Sequence, residues 1–468
     1  RDAAVAVVSG GTSSVVAAAG KIPIAGGYPG LDPTWLAIAI ADLFTVDQLL
    51  FDAGQVGGNL SFTDFSKIWQ DSAGTTPYTA VEQYVGKIID KSPNALVFTQ
   101  ATSAARPVVS ARVNSLLNTE NPSAWPTTGI TGTAEAGGVS LLQSTIDNSG
   151  IIPSSLYPIG STPISNSCVY RSIEYLPGDA LYVAYGPAAS VSFVPIRTSD
   201  GVVVGAVGGA SPLRKITQLV DGWVRVETWD SVASHSASQL SSILYFGNAF
   251  SAPYIANGGR AGTQIRVRQL QYVVLPFGST HSVPYQRVNT PTDYDTAGFP
   301  DYAKFDGIDD NWVSAAGGGG TAGIYYCGAV RFNKVGAVQT IFSDTGTNSG
   351  YKLQLTAANQ LQISAGNGTA FTAINTTGTF ALGDVALCEF WDDGTNIGVR
   401  LGEGTPVTVA RPVVAAGTAQ ITIGKDNNAA SNYAGINMFE PVWRYGAMPN
   451  ATQREAIRAI CRSKARIV

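Results

Sequence analysis

Short apolar stretches separated by turn clusters dominate the chain beyond Gly57-Gly58, and no other feature restricts its fold as strongly. The clusters include DSAGTTP (71–77), KSPN (91–94), LPGD (176–179), NGGRAG (257–262), WDDGTN (391–396) and KDNN (425–428). Between them YKLQLTA (351–357), LQISAG (361–366), TQIRVRQLQYVV (263–274) and TAQITIG (418–424) alternate apolar and polar residues. A period of two places one side of each strand in a core and the other in water. Turn signals about every ten residues predict an all-β sandwich or jelly roll. The clearest helical pattern is terminal. Asn450 caps it with Gln453 three residues on, Ile457, Ile460 and Cys461 form its inner stripe, and Arg454, Arg458, Arg462, Lys464 and Arg466 are expected on its outer side.

The 468 residues are enough for two to four folding units at about 100–200 residues each. A hydrophobic share of 45% supplies a sizeable core and excludes wholesale disorder. Charged residues make up only 13%, and the net charge of −4 is spread without long runs, so no basic face is expected and nucleic acid is not a predicted partner. His235 and His281 are the two histidines, and neither sits in a motif, which argues against zinc sites and Ser-His-Asp or Cys-His catalysis. Cys168, Cys327, Cys388 and Cys461 lie far apart and form no CxxC pair; Cys327 and Cys388, inside apolar runs, read as buried free thiols of a chain folded in a reducing compartment. No cofactor is expected.

Residues 1–30 are rich in Ala, Val and Gly and nearly uncharged. Their apolar run is broken by Ser9 to Ser14, and Arg1 stands beside Asp2, a poor match to a secretion signal. Such a segment is expected to gain order against a partner surface. The run Trp35–Phe51 is interrupted by Asp42 and Asp47 and falls short of a membrane span, so membrane insertion is not predicted. It reads as a helix or a short β element.

Two stretches resemble one module cut in two. FSKIWQDSAGTTPYTAVEQYVGKIIDKSPNALVFTQATSAARPVV (65–109) resembles the opening of laminin-G-like (concanavalin-like) jelly rolls in phage and prophage structural proteins, through its phrases QDSAGTTP, VGKIIDKS and QATSAARP. YAKFDGIDDNWVS (302–314) resembles the phrase that follows shortly after in that family, and continues through YYCGAVRF and CEFWDDGTNIGVRLGEG to the terminal helix. The material between, with DGWVRV (221–226) and the exit from Tyr285 to Pro291, resembles an inserted sandwich of the carbohydrate-binding-module type. The resemblance implies an N-terminal virion-anchoring segment at 1–58, a split laminin-G-like jelly roll at 59–112 plus 291–468, and an inserted β-sandwich at 113–290. It further implies a tail fibre, head spike or decoration protein located in the virion, contacting other virion proteins through the N-terminal segment, trimeric, and meeting host surface polysaccharide.

Glycan recognition uses aromatic faces stacked on sugar rings together with planar polar groups. Trp229 and Tyr185, near strand ends, and Trp125, between prolines, are the candidates; Trp223, at a strand start after Asp221-Gly222, is expected in the core. Asp306, Asp309 and Asp310 in FDGIDD offer part of a calcium shell or a tight turn with solvated carboxylates. Glu174, Asp179, Glu227 and Asp230 are the acids a polysaccharide hydrolase would draw on, but their spacing selects no dyad. Binding and display, without catalysis, is therefore the expected role. The rivals are a tailspike-type depolymerase and an exported cell-surface adhesin.

Overall fold

The computed structural model describes residues 45–51, 54–121, 124, 129–145, 155–156, 164–187, 194–199, 213–235, 242–247, 261–318, 320–418, 420–429 and 431–467. Most of the expected anchoring segment, and Trp125, lie outside the described residues. Two antiparallel sheets face each other to form the larger body. The first runs Val407–Ala410, Asn396–Leu401, Val385–Asp392, Ile324–Phe332, Gly435–Tyr445, Tyr302–Asp306, Val108–Ser110, with Gly57–Asn59 also pairing with Gly435–Tyr445. The second runs Ile68–Trp69, Lys87–Ile89, Val97–Thr99, Trp312–Ser314, Thr422–Ile423, Gln339–Ser343, Ser349–Leu355, Leu361–Asn367, Phe371–Asn375. Each sheet thus mixes strands from 57–110 with strands from 302–445. The chain is all-β in class, a jelly-roll-type sandwich with a long helix at its C-terminal end.

Strand parity builds the core. On Ile324–Phe332, Tyr326, Val330 and Phe332 point inward, where they meet Phe342, Leu353 and Ile363 of the facing sheet. Trp443 is fully buried between Phe98 and Phe342, each with its ring centre 5.8 Å away. Gly57-Gly58, read from sequence as a boundary, is a strand laid on this tryptophan. A Cβ at Gly58 would sit 2.2 Å from the Trp443 ring, so the side chain must be absent there.

Outside the first sheet, Tyr325, Cys327 and Ala329 form a second apolar layer under two helices. Helix α1 (Val46–Leu50) starts at Thr45 in a capping box with Gln48 and buries Val46, Leu49 and Leu50. Helix α2 (Ala451–Ala465) starts at Asn450, whose side chain accepts from Gln453 N at 2.9 Å, and buries Ala456, Ile457, Cys461 and Ala465. One expectation is overturned here. Arg458 is not on the outer side of α2 but fully buried, because Glu389 (2.8 Å) and Glu403 (2.9 Å) receive its guanidinium. All four cysteines are buried free thiols. Among the described residues no helix is long and apolar enough to cross a membrane.

Among the described residues, the strands of 130–276 pair with one another and not with those of the larger body. A six-stranded sheet runs Leu213–Gln218, Val224–His235, Ile164–Leu176, Gln264–Pro276, Val139–Ser144, Ile130–Glu135, and a four-stranded sheet runs Val194–Arg197, Tyr182–Pro187, Ser242–Gly247, Ser155–Leu156. Val183 and Ile196 of the smaller sheet share a core with Val169, Ile173, Val226 and Val267 of the larger. The chain enters this insert and leaves it through touching segments. Gln286 accepts from Val113 N (2.7 Å) and Asn114 N (2.9 Å) and donates to Ala111 O and Asp295 O (both 2.9 Å). Asn114 in turn donates to Gln286 O (2.9 Å) and Leu270 O (3.2 Å) and accepts from Tyr272 N (3.0 Å). Both amides are fully buried.

Candidate ligand cleft at the insert junction

The insert reaches the larger body at the end of Gln264–Pro276, and a cleft of about 560 Å³ lies where they meet. The insert contributes Val273 to Pro276, and the following loop contributes His281, Val283 and Pro284. The outer face of the first sheet contributes Tyr302, Arg331, Val385, Asn437 and Phe439, and the end of α2 closes one side with Ala465 to Ile467. A second, more polar cleft of about 490 Å³ adjoins it, lined by Glu82, Arg112, Asn114, Lys304, Asp306 and Asn333. Val113, Tyr302, Arg331 and Asn437 line both. Apolar walls with a few convergent polar groups, in the range of about 300–1,000 Å³, are the usual make-up of a small-ligand site.

Parity explains how Arg331 comes to be there. It continues the outward series Tyr325, Cys327, Ala329, but lies beyond the helix that covers them and faces the insert instead. Its Nη2 donates to Val274 O at 2.8 Å. Its Nε is buried without a hydrogen-bond partner. Burial lowers its basicity. Tyr302 donates to Arg112 O at 2.7 Å, and Arg112 spends Nε and Nη2 on Asn114 O (3.0 Å) and Ser115 O (3.2 Å). Glu82 accepts from Ser110 Oγ and from Tyr294 at 2.9 Å.

Of the aromatic candidates, Trp229 is corrected. Only 4% of it is exposed, since Tyr170 packs on its ring at 5.4 Å and its Nε1 donates to His281 O at 2.9 Å. It offers no stacking platform; it pins the loop that walls the cleft. Tyr185 pairs through its backbone with Val194 and Leu244 in the smaller insert sheet. Trp223 is buried as expected, with the Arg268 guanidinium 4.0 Å from its ring centre.

The acidic candidates divide the same way. Asp306, Asp309 and Asp310 do converge, with carboxylate oxygens within 4.8 Å of one another. Asp306 Oδ1 accepts from Ile308 N (2.8 Å) and Asp309 N (3.2 Å), while Asp310 Oδ2 accepts from Asp306 N (2.9 Å). Part of the trio's oxygen capacity therefore closes a turn, and calcium wants about six to eight oxygens. In the insert, Glu174 is held by Arg225 (2.5 Å) and Arg268 (2.7 Å), Glu227 accepts from Tyr170 (2.8 Å), and Asp230 faces Arg171 at 3.7 Å. All three are buried. Each carboxylate has a structural partner, and none lines either cleft.

No family model matches this chain, and no curated protein matches it. Among solved structures it is similar to the native heptameric SAP-like pentraxin of Limulus polyphemus, at 13% identity over 33% of this chain and 78% of that one, with a TM-score of 0.27. It is similar to domains LG4-5 of the mouse laminin α1 chain, at 11% identity over 70% of this chain and 100% of that one, TM-score 0.26. The botulinum neurotoxin serotype D binding domain matches at 9% identity over 35% of this chain and 42% of that one, TM-score 0.28. Less than half of that toxin domain's length is spanned. Scores this low transfer neither ligand nor partner.

Proposed function

We propose that this chain is a binding and display protein that holds a surface carbohydrate in the cleft between its insert and its main sandwich. The observation that supports it is the composite cleft itself: an apolar floor from the first sheet continuous with a polar bay, the pairing that sugar rings with their C–H faces and hydroxyls require. Catalysis plays no part in this reading, because the insert's buried acids are bound up in ion pairs and hydrogen bonds. A place on a phage-type particle, with anchoring through the N-terminal segment and a trimeric state, rests on the sequence resemblance alone. The test is a panel of acidic and neutral bacterial surface polysaccharides offered to the full chain. The expected result is saturable binding to a subset without release of new reducing ends. Binding to none would overturn the reading, and released reducing ends would favour the depolymerase.

A further inference from the structure

Most buried or half-buried arginines in the described residues have a carboxylate: Arg171 has Asp230, Arg268 has Glu174, Arg411 has Asp392 and Arg458 has Glu389. Arg112 and Arg444 instead donate to backbone carbonyls. Arg331 has fewer partners than these, although it shares with Arg458 a buried Nε that lacks a hydrogen-bond partner. Among the described residues it forms no ion pair, one carbonyl takes Nη2, and the buried Nε is left without an acceptor. Burying a guanidinium charge without a carboxylate is costly, and an anionic guest that meets the guanidinium from the cleft side offsets that cost.

We infer that the cleft takes an acidic sugar, with its carboxylate on the Arg331 guanidinium and its ring against the floor made by Val385, Tyr302 and Phe439. This deepens the carbohydrate reading above and rests on it. A guanidinium offers a planar fork that a carboxylate matches with two parallel hydrogen bonds. The carboxylates of the adjoining bay do not compete for it: Glu82 is engaged by Ser110 and Tyr294, and Asp306 by the backbone of its own turn. Lys304 lines the same bay and adds positive charge. Arg331 lies on the wall shared by both clefts, so one sugar ring rests on the apolar floor while its neighbour extends into the polar bay.

Oligogalacturonides, their methyl esters and neutral oligogalactosides, titrated into the full chain, separate the possibilities. The acid form is expected to bind, the ester and neutral forms about ten- to hundredfold more weakly, the usual weight of a charged hydrogen bond. Arg331→Gln should lose the same factor for the acid form with little change for the ester. Val385→Phe, which fills the floor and keeps the charge, should weaken acid and neutral forms alike. The comparison of acid with ester on the unaltered protein stands even if a variant fails to fold. Equal binding of acid and ester, unaffected by Arg331→Gln, overturns the acidic-sugar inference and leaves the carbohydrate reading in place. If no acidic or neutral glycan binds, both fall.

Discussion

The carboxyl of Asp310 is buried beside two other aspartates. Burial pushes its carboxyl from the ordinary 3.8 up to about 7, and the charges of Asp306 and Asp309 add to this against the lowering hydrogen bond from Asp306 N–H. The folded protein therefore holds a proton on Asp310 that the unfolded chain releases near pH 4. Stability should fall as pH rises from about 4 to 7 and then level off. Asp310→Asn should remove this part of the slope and stabilise the protein at pH 8 by on the order of 1–4 kcal/mol, measured by denaturant unfolding at several pH values. A slope unchanged by the substitution would show that Asp310 is ionised in the fold. The sequence shows the carboxylates of FDGIDD but not which of them is buried. Arg331 and Arg458 make the same point. Both are cations inside apolar patterns; Arg458 reads as solvated from its helical position, and what covers each is set by an insert or a loop remote in the chain.

At the scale of elements, the capping box of α2 was readable because it is local: Asn450 and Gln453 satisfy each other within one turn. The alternating strands were readable for the same reason. The junction of the insert was not, because Gln286 and Asn114 look like ordinary loop amides until the two chain crossings are brought together. Replacing Gln286 removes the partners of four backbone groups at once. Gln286→Ala should cost about 4 kcal/mol or more, at about 1–3 kcal/mol for each of the four polar groups left buried and unmet. Calorimetry should show the insert and the sandwich melting at separated temperatures in the variant. A loss below about 1 kcal/mol with one unchanged transition would mean that other contacts hold the crossings together.

At the scale of the molecule, strands from 57–110 and from 302–445 close two common sheets, and the described strands of 130–276 pair with one another. Alternating strands on either side of the middle region were legible; that they share two sheets follows from the strand pairing. The cleft was not legible, since no single aromatic residue marks it: its walls come from the insert, the first sheet and a helix end. Trp229, chosen as a contact, serves as the anchor of the cleft wall through His281 O. The proposed function requires ligand at that junction. Hydrogen–deuterium exchange of the full chain, with and without a saturating oligogalacturonide, tests this most directly. Protection is expected in 273–284, 299–302, 331, 385, 437–439 and 465–467, the segments that line the cleft. Protection confined to strands 182–187, 213–218 or 242–247 of the insert, with the junction unchanged, would contradict it.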